Sequence, residues 1–235
     1  PLREARSLPG CRRRPAVFER WARLYRLLRR GELSTVWQLQ NLQGHTDGVT
    51  SVALSGDGQL AISGSGDSTL RLWETATGRC LRTFEGHTEQ VLSIALSADG
   101  RLALSGSWDK TIRLWETATG QCLRVSEGDM NVVTSVALTA DGRLALSGHT
   151  GRRFRLWDTT TGRCLRTFER QTGDVHSIAL SPHGRYVLVG SFKPIRLWDL
   201  AGARCLANLE GHPGYVNSVA LNASGRHALS GGADG

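Results

Sequence analysis

The chain has 235 residues, 40% of them apolar, and carries 29 lysines and arginines against 21 acidic residues, a formal net charge of +8. No apolar segment is long enough for a signal peptide or a membrane span, so neither is expected and the chain reads as cytoplasmic. Residues 1–40 hold 10 basic residues against 3 acids, while residues 41–235 hold 19 against 18, so the larger part is nearly neutral and its high isoelectric point is no argument for nucleic-acid binding.

Leu2–Leu8 reads as the tail of a helix, Pro9-Gly10 as a break, and Pro15–Arg30 as a second, amphipathic helix. Val17, Phe18, Trp21, Leu24, Tyr25 and Leu28 share one face, Arg20, Arg23, Arg26 and Arg30 lie largely elsewhere, and Gly31 follows the end. Residues 1–35 are therefore expected to be the end of an upstream helical domain or a linker; a basic amphipathic helix also admits membrane-surface or nucleic-acid attachment. The single methionine, Met130, is internal, so the chain is expected to begin inside a longer one. Arginine supplies all the basic residues except Lys110 and Lys193, which points to a GC-rich, bacterial genome.

From residue 36 onward one unit repeats. Trp73, Trp115, Trp157 and Trp198 are 42, 42 and 41 residues apart, each followed by Glu or Asp. A period of this length denotes a unit that must stack on copies of itself. Gly44-His45, Gly86-His87 and Gly211-His212 keep the same phase, with Gly128-Asp129 and Arg170-Gln171 in the equivalent places of the third and fourth units. The units span about 44–85, 86–127, 128–169, 170–210 and 211–235. Asp57-Gly58, Asp99-Gly100 and Asp141-Gly142, between apolar runs, supply the positive-φ residue of a hairpin turn. In the second unit four strands are expected, at Val91–Leu96, Arg101–Ser107, Thr111–Trp115 and Cys122–Ser126, and no unit shows a helical period.

A Gly-His, a Ser-x-Asp-Gly turn, a Ser-Gly-Ser-x-Asp and a Leu-Trp-Asp/Glu spaced over about forty residues resemble the WD-repeat family. The resemblance covers residues 36–235 and implies an all-β propeller of four-stranded blades around a central channel, usually seven blades, usually a binding platform without catalysis. Four full blades and half a fifth are expected, with an intact ring needing blades beyond this chain. Val36–Leu42 aligns with an outermost strand that in the family closes the ring. Exposed strand edges in this stretch alone would favour poor solubility or self-association.

The family's buried polar tetrad carries over to His45, Ser63, Asp67 and Trp73, and to His87, Ser105, Asp109 and Trp115. A hydrolytic triad is the competing reading of such residues, but the set occurs twice in full and includes the tryptophan, so it reads as scaffold. In the third unit Asp129 and Gly151 replace the tetrad His and Asp. In the fourth, Gln171 and Val189 replace His and Ser, and a deletion before Lys193-Pro194 removes the Asp; both units are expected to lose the network and rely on apolar packing. Cys80, Cys122, Cys164 and Cys205 recur with the period and read as small buried thiols, too far apart for disulfides and not spaced as metal ligands. Cys11 stands apart. No catalytic residue, metal or cofactor is expected.

The resemblance also places a partner-binding rim at three offsets per unit: Gly48, Thr50 and Gly66; Gln90, Leu92 and Trp108; Val132, Thr134 and Thr150; Asp174, His176 and Phe192; Tyr215, Asn217 and Ala233. Trp108, Phe192 and Tyr215 are the residue types that anchor interfaces. The favoured function is a non-catalytic protein or peptide scaffold in a larger signalling or regulatory protein. The alternative is a ligand-binding or enzymatic propeller, for which Asp174 and His176 would need ligands from other blades.

Overall fold

Ser and Gly at the hairpin tips set the local path of the chain. In the first unit the Ser55 hydroxyl donates to Asp57 Oδ1 (2.6 Å) and accepts the Leu60 N–H (2.9 Å), while the Gly58 N–H donates to the Ser55 carbonyl (2.9 Å). Gly58 adopts φ +70°, in the left-handed region where a Cβ is penalised. The same turn recurs at Gly100, Gly142 and Gly184. In the fourth unit His183 stands where the aspartate was, and the glycine is retained.

The computed structural model describes residues 41–127, 131–169, 173–192, 194–222 and 227–234. The expected leader helices, most of the closing strand at Val36–Leu42, Cys11, Gly128-Asp129, Arg170-Gln171 and Lys193 lie outside the described residues. The first sheet is β1 (Val49–Leu54), β2 (Leu60–Ser65), β3 (Leu70–Glu74) and β4 (Cys80–Phe84). The second is β5 (Val91–Leu96), β6 (Leu102–Ser107), β7 (Thr111–Glu116) and β8 (Cys122–Glu127), within a residue of the expected bounds. The third is β9 (Val133–Leu138), β10 (Leu144–His149), β11 (Arg153–Asp158) and β12 (Cys164–Phe168). The fourth is β13 (Ser177–Leu180), β14 (Tyr186–Gly190), β15 (Ile195–Asp199) and β16 (Arg204–Leu209), and a fifth pairs β17 (Val216–Leu221) with β18 (Ala228–Gly232). Every sheet is antiparallel with its strands in chain order, the arrangement of repeated propeller blades. Among the described residues no helix is long and apolar enough to cross a membrane.

The core lies between sheets, not within them. Ile62, Leu70, Leu72 and Phe84 of the first sheet pack against Val91, Ile94, Ala103 and Trp115 of the second. The next seam repeats this with Leu104, Ile112 and Leu114 against Val133, Val136, Ala145 and Trp157. Leu146, Phe154 and Phe168 meet Val175, Ile178 and Val187, and Leu188 and Ile195 meet Val216 and Val219. Burying one such Val or Ile contributes about 1.5–3 kcal/mol.

The seams close because each second strand has a glycine at the point of approach. A Cβ on Gly64 would meet Val91 and Ile94, one on Gly106 would meet Val133 and Val136, one on Gly148 would meet Val175 and Ile178, and one on Gly190 would meet Val216 and Val219. A serine on each first strand adds a polar tie across the seam. Ile94 N–H donates to Ser51 Oγ (3.1 Å), Val136 to Ser93 (3.0 Å), Ile178 to Ser135 (3.0 Å) and Val219 to Ser177 (3.1 Å). Those N–H groups point away from their own sheet, so the serines satisfy donors that burial would otherwise strand.

Gly106→Ala drives a methyl into Val133 and should lower stability by about 1–3 kcal/mol, measured by urea unfolding. Adding Val133→Ala should recover part of that loss, because the second change vacates the space the first one fills.

Candidate functional site

The first two units each contain a buried polar chain of four side chains. His45 Nδ1 donates to Asp67 Oδ2 (2.8 Å), the Ser63 hydroxyl donates to His45 Nε2 (2.7 Å), and Ser63 Oγ accepts the Trp73 indole N–H (2.8 Å). His87, Asp109, Ser105 and Trp115 repeat these contacts at 2.6, 2.7 and 2.8 Å. The tautomer follows from the partners, with the proton on Nδ1 facing the carboxylate. Burial would raise the Asp67 carboxyl, but hydrogen bonds from Thr69, the Thr46 N–H and His45 together hold it far below the usual range. Asp109 is lowered likewise by Thr111 and His87 against burial. Burial is also the main influence on His87, which it pushes down while Asp109 opposes it. The fifth sheet has three of the four members, with His212 2.8 Å from Asp234 and 2.9 Å from Ser230.

The third unit departs from expectation. It does not lose the network: His149 Nε2 accepts from the Ser147 hydroxyl (2.7 Å), whose oxygen accepts the Trp157 indole N–H (2.8 Å). His149 occupies the place of Ser65 and Ser107, so an imidazole from β10 itself substitutes for the one missing from the loop. The signal was present in the sequence as Ser-Gly-His, in a unit lacking its Gly-His histidine. Burial pushes His149 down to about 4. The fourth unit does rely on apolar packing: the Trp198 indole nitrogen is buried without a partner, and its ring stands edge-on to Phe154 and Phe168 at 5.7 and 5.6 Å.

The thiols are corrected in part. Cys80 and Cys122 are half-buried, but Cys164 and Cys205 are exposed. Cys80, Cys122 and Cys164 open the outermost strand of their sheets and Cys205 is the second residue of its own, each strand having a neighbour on one edge only.

The rim offsets converge because the backbone pairs them. The N–H of the residue before the tetrad aspartate donates to the carbonyl three residues beyond the histidine: Gly66 to Gly48 (2.9 Å), Trp108 to Gln90 (3.0 Å) and Ala233 to Tyr215 (3.0 Å). Thr150 does the same to Val132 (3.1 Å) in the third unit. The remaining offset is a β-bulge. Pairing skips Thr50, Leu92, Thr134 and Asn217, which leaves each of them unpaired in the ladder. The bulge also explains how Val91 and Ile94, three apart, reach one seam although side chains alternate along a strand.

Not every rim residue is available to a partner. The Thr50 hydroxyl donates to the Gly64 carbonyl (3.0 Å) and to that of Val91 in the next sheet (2.5 Å), and Thr134 spends its hydroxyl likewise on Gly148 and Val175. Leu92 and Val132 are half-buried, and the Asp174 carboxylate accepts the Gly151 N–H at 2.8 Å. Gln90 and Asn217 are exposed. The aromatics stand out: Trp108 is 55% exposed, Tyr215 53% and Phe192 39%. Phe192 and Tyr215 form a backbone bridge between the fourth and fifth sheets with rings 5.1 Å apart, and His176 stands edge-on to Tyr215 at 5.4 Å. Among the described residues no three His, Cys, Asp or Glu side chains group as a metal site.

A family profile described as IFT122 first beta-propeller matches residues 31–234. Ribosome biogenesis protein BOP1 homologs are similar over 39 residues, at 52% identity in Drosophila willistoni and 51% in Drosophila erecta and Drosophila melanogaster. That segment is 17% of this chain and 5% of each relative's length.

The buried histidines set an acid limit on stability. A folded-state pKa below the unfolded value near 6.5 means that the unfolded chain binds the proton first. The stability is therefore full above pH 6.5 and drains as pH falls toward 4. His149 alone should cost on the order of 3 kcal/mol across that window. Unfolding midpoints measured between pH 7 and 4 should fall less steeply in His149→Gln, with the residual slope due to His87 and, close to pH 4, to the hydrogen-bonded aspartates such as Asp67 and Asp109.

Proposed function

The chain belongs to the IFT122 first-beta-propeller family of WD-repeat β-propellers, and from that premise we propose that residues 36–235 act as a non-catalytic platform for a protein or peptide partner. One observation carries this reading. Three aromatic side chains stand exposed at the rim, Trp108 and Phe192 at equivalent offsets and Tyr215 at another, while the framework tryptophans Trp73, Trp115 and Trp157 are buried and Trp198 is half-buried. An exposed aromatic ring offers large contact area for the loss of few torsions, and such residues dominate binding energy in interfaces.

Gln90 and Asn217 supply adaptable polar contacts beside these anchors, while Leu92, Val132, Thr134, Asp174 and His176 hold the rim in shape. The Ser, His and Asp of the polar chains are already engaged with one another and with an indole, which supports a scaffold and not a hydrolytic role for them. The basic leader at residues 1–35 supports a place in a larger, multidomain regulatory or signalling protein with the platform in the cytoplasm. The arginine bias favours a bacterial source.

Trp108→Ala combined with Tyr215→Ala should abolish capture of the physiological partner in pull-downs from the source cell, each change weakening binding by about 2 kcal/mol, roughly 30-fold. Thermal stability should change little, because both rings are more than half exposed. Retention of every captured protein by the double variant would exclude the rim as the binding site.

A further inference from the structure

The second sheet is packed on both sides, against the first and the third, so what it leaves open is a property of the rim itself. Trp108, 55% exposed, opens the turn between β6 and β7. Its N–H donates to the Gln90 carbonyl (3.0 Å), and the Ser107 hydroxyl donates to the Glu89 carbonyl (3.1 Å), which ties this turn to the loop carrying Glu89. The equivalent places of other units stand side by side. A Cβ on Gly66 would lie 2.8 Å from the Asp47 carboxylate, and one on Gly173 would lie 2.8 Å from the Phe192 Cβ. Glu89 and Trp108 occupy these same two places in the second unit, so a carboxylate stands beside the indole. Glu89 is exposed and enters no ion pair among the described residues.

Charge is divided between the two ends of the sheets. At the rim end, exposed Glu85, Glu127, Glu169 and Glu210 follow or close the outermost strands of successive units, besides the rim carboxylates Asp47, Glu89 and Asp174. The exposed lysine and arginine in the rim-end connections are, among the described residues, Lys110 and Arg152, each on the third-strand side of its turn, whereas Trp108 is on the second-strand side. At the opposite end the hairpin-tip Asp99 and Asp141 each have an arginine two residues on, and Arg143 Nε lies 3.9 Å from Asp141. A charge imbalance is thus confined to the end that presents the aromatics.

Resting on the reading of the rim as a platform, we propose that its partner is a positively charged peptide segment, with an arginine or lysine laid on the Trp108 indole and its charge toward Glu89. An indole face attracts a cation through its quadrupole, and a carboxylate beside it adds direct Coulombic attraction. The surrounding glutamates raise the local concentration of such a segment and repel acidic peptides and phosphate backbones. Exposed Gln90, beside the same turn, offers its amide oxygen as a further acceptor.

Short labelled glycine-serine peptides carrying arginine, norleucine or glutamate at the same positions are the probes, read by fluorescence anisotropy against the 235-residue chain. The arginine peptide should bind about tenfold tighter than the other two and weaken as salt rises from about 0.05 to about 0.5 M. Trp108→Ala and Glu89→Gln should each weaken it about tenfold, and Glu89→Lys further. Gln121→Lys, which adds a charge at the opposite end of the same sheet, should leave it unchanged, and all variants should keep the wild-type circular dichroism. A norleucine or glutamate peptide that binds as tightly as the arginine one overturns the proposal. So does arginine binding that Gln121→Lys weakens as much as Glu89→Lys, the mark of unspecific charge attraction. If Trp108→Ala with Tyr215→Ala abolishes partner capture while Glu89→Lys leaves it intact, the charge assignment is overturned and the platform stands. Capture that survives all of these variants removes the platform as well.

Discussion

Everything in this chain depends on a valine of one sheet reaching a glycine of the sheet before it. A single four-stranded sheet of this sequence has apolar residues on both faces and no core of its own, so burial comes from stacking. Stacking at this closeness requires a second strand without a side chain at the contact. Gly64, Gly106, Gly148 and Gly190 provide it, and Ser51, Ser93, Ser135 and Ser177 of the same sheets accept the N–H groups of Ile94, Val136, Ile178 and Val219 from the sheet that arrives. Apolar closure and polar satisfaction are thus achieved by neighbouring residues of one strand. Stability in such an array is a sum over seams, and a defect in one is felt chiefly by its two neighbours.

The polar chain around each tryptophan serves that seam. The indole ring faces the preceding sheet, as where Trp115 meets Phe84 edge-on at 5.8 Å, while its N–H is tied to a serine of its own sheet. The ring is held by both sides. The third and fourth units show two ways to keep it in place when the loop histidine is absent: His149 rebuilds the tie from within β10, and in the fourth unit Phe154 and Phe168 clamp Trp198 without one. What is preserved between units is the position of the ring, and the polar partners vary around it.

The same bulge that aligns the valine pair leaves one residue unpaired at the rim in the first, second, third and fifth units, so framework and candidate surface have a common geometric origin there. Equivalent positions are nonetheless used differently. Thr50 and Thr134 face the next sheet's backbone and tie sheets together, Leu92 is half-buried, and Asn217 is open to solvent. Side-chain chemistry at a fixed offset, and not the offset itself, separates a staple from a contact residue.

The sequence alone determined the repeat period, the strand bounds to within a residue in the second unit and the hairpin turns, while the members of the two complete polar chains came from the resemblance to the WD-repeat family. These features rest on local rules: alternation, positive φ at glycine, and a motif recurring in phase. Only the tertiary structure decided that the recurring glycine is a seat for another sheet's valine, that His149 stands in for a lost histidine, that Cys164 and Cys205 are exposed, and that Thr134 is engaged in a seam. Each of these depends on which residue of a neighbouring sheet arrives at a given point. That is set by a bulge and a stacking distance, which leave no periodic mark along the chain.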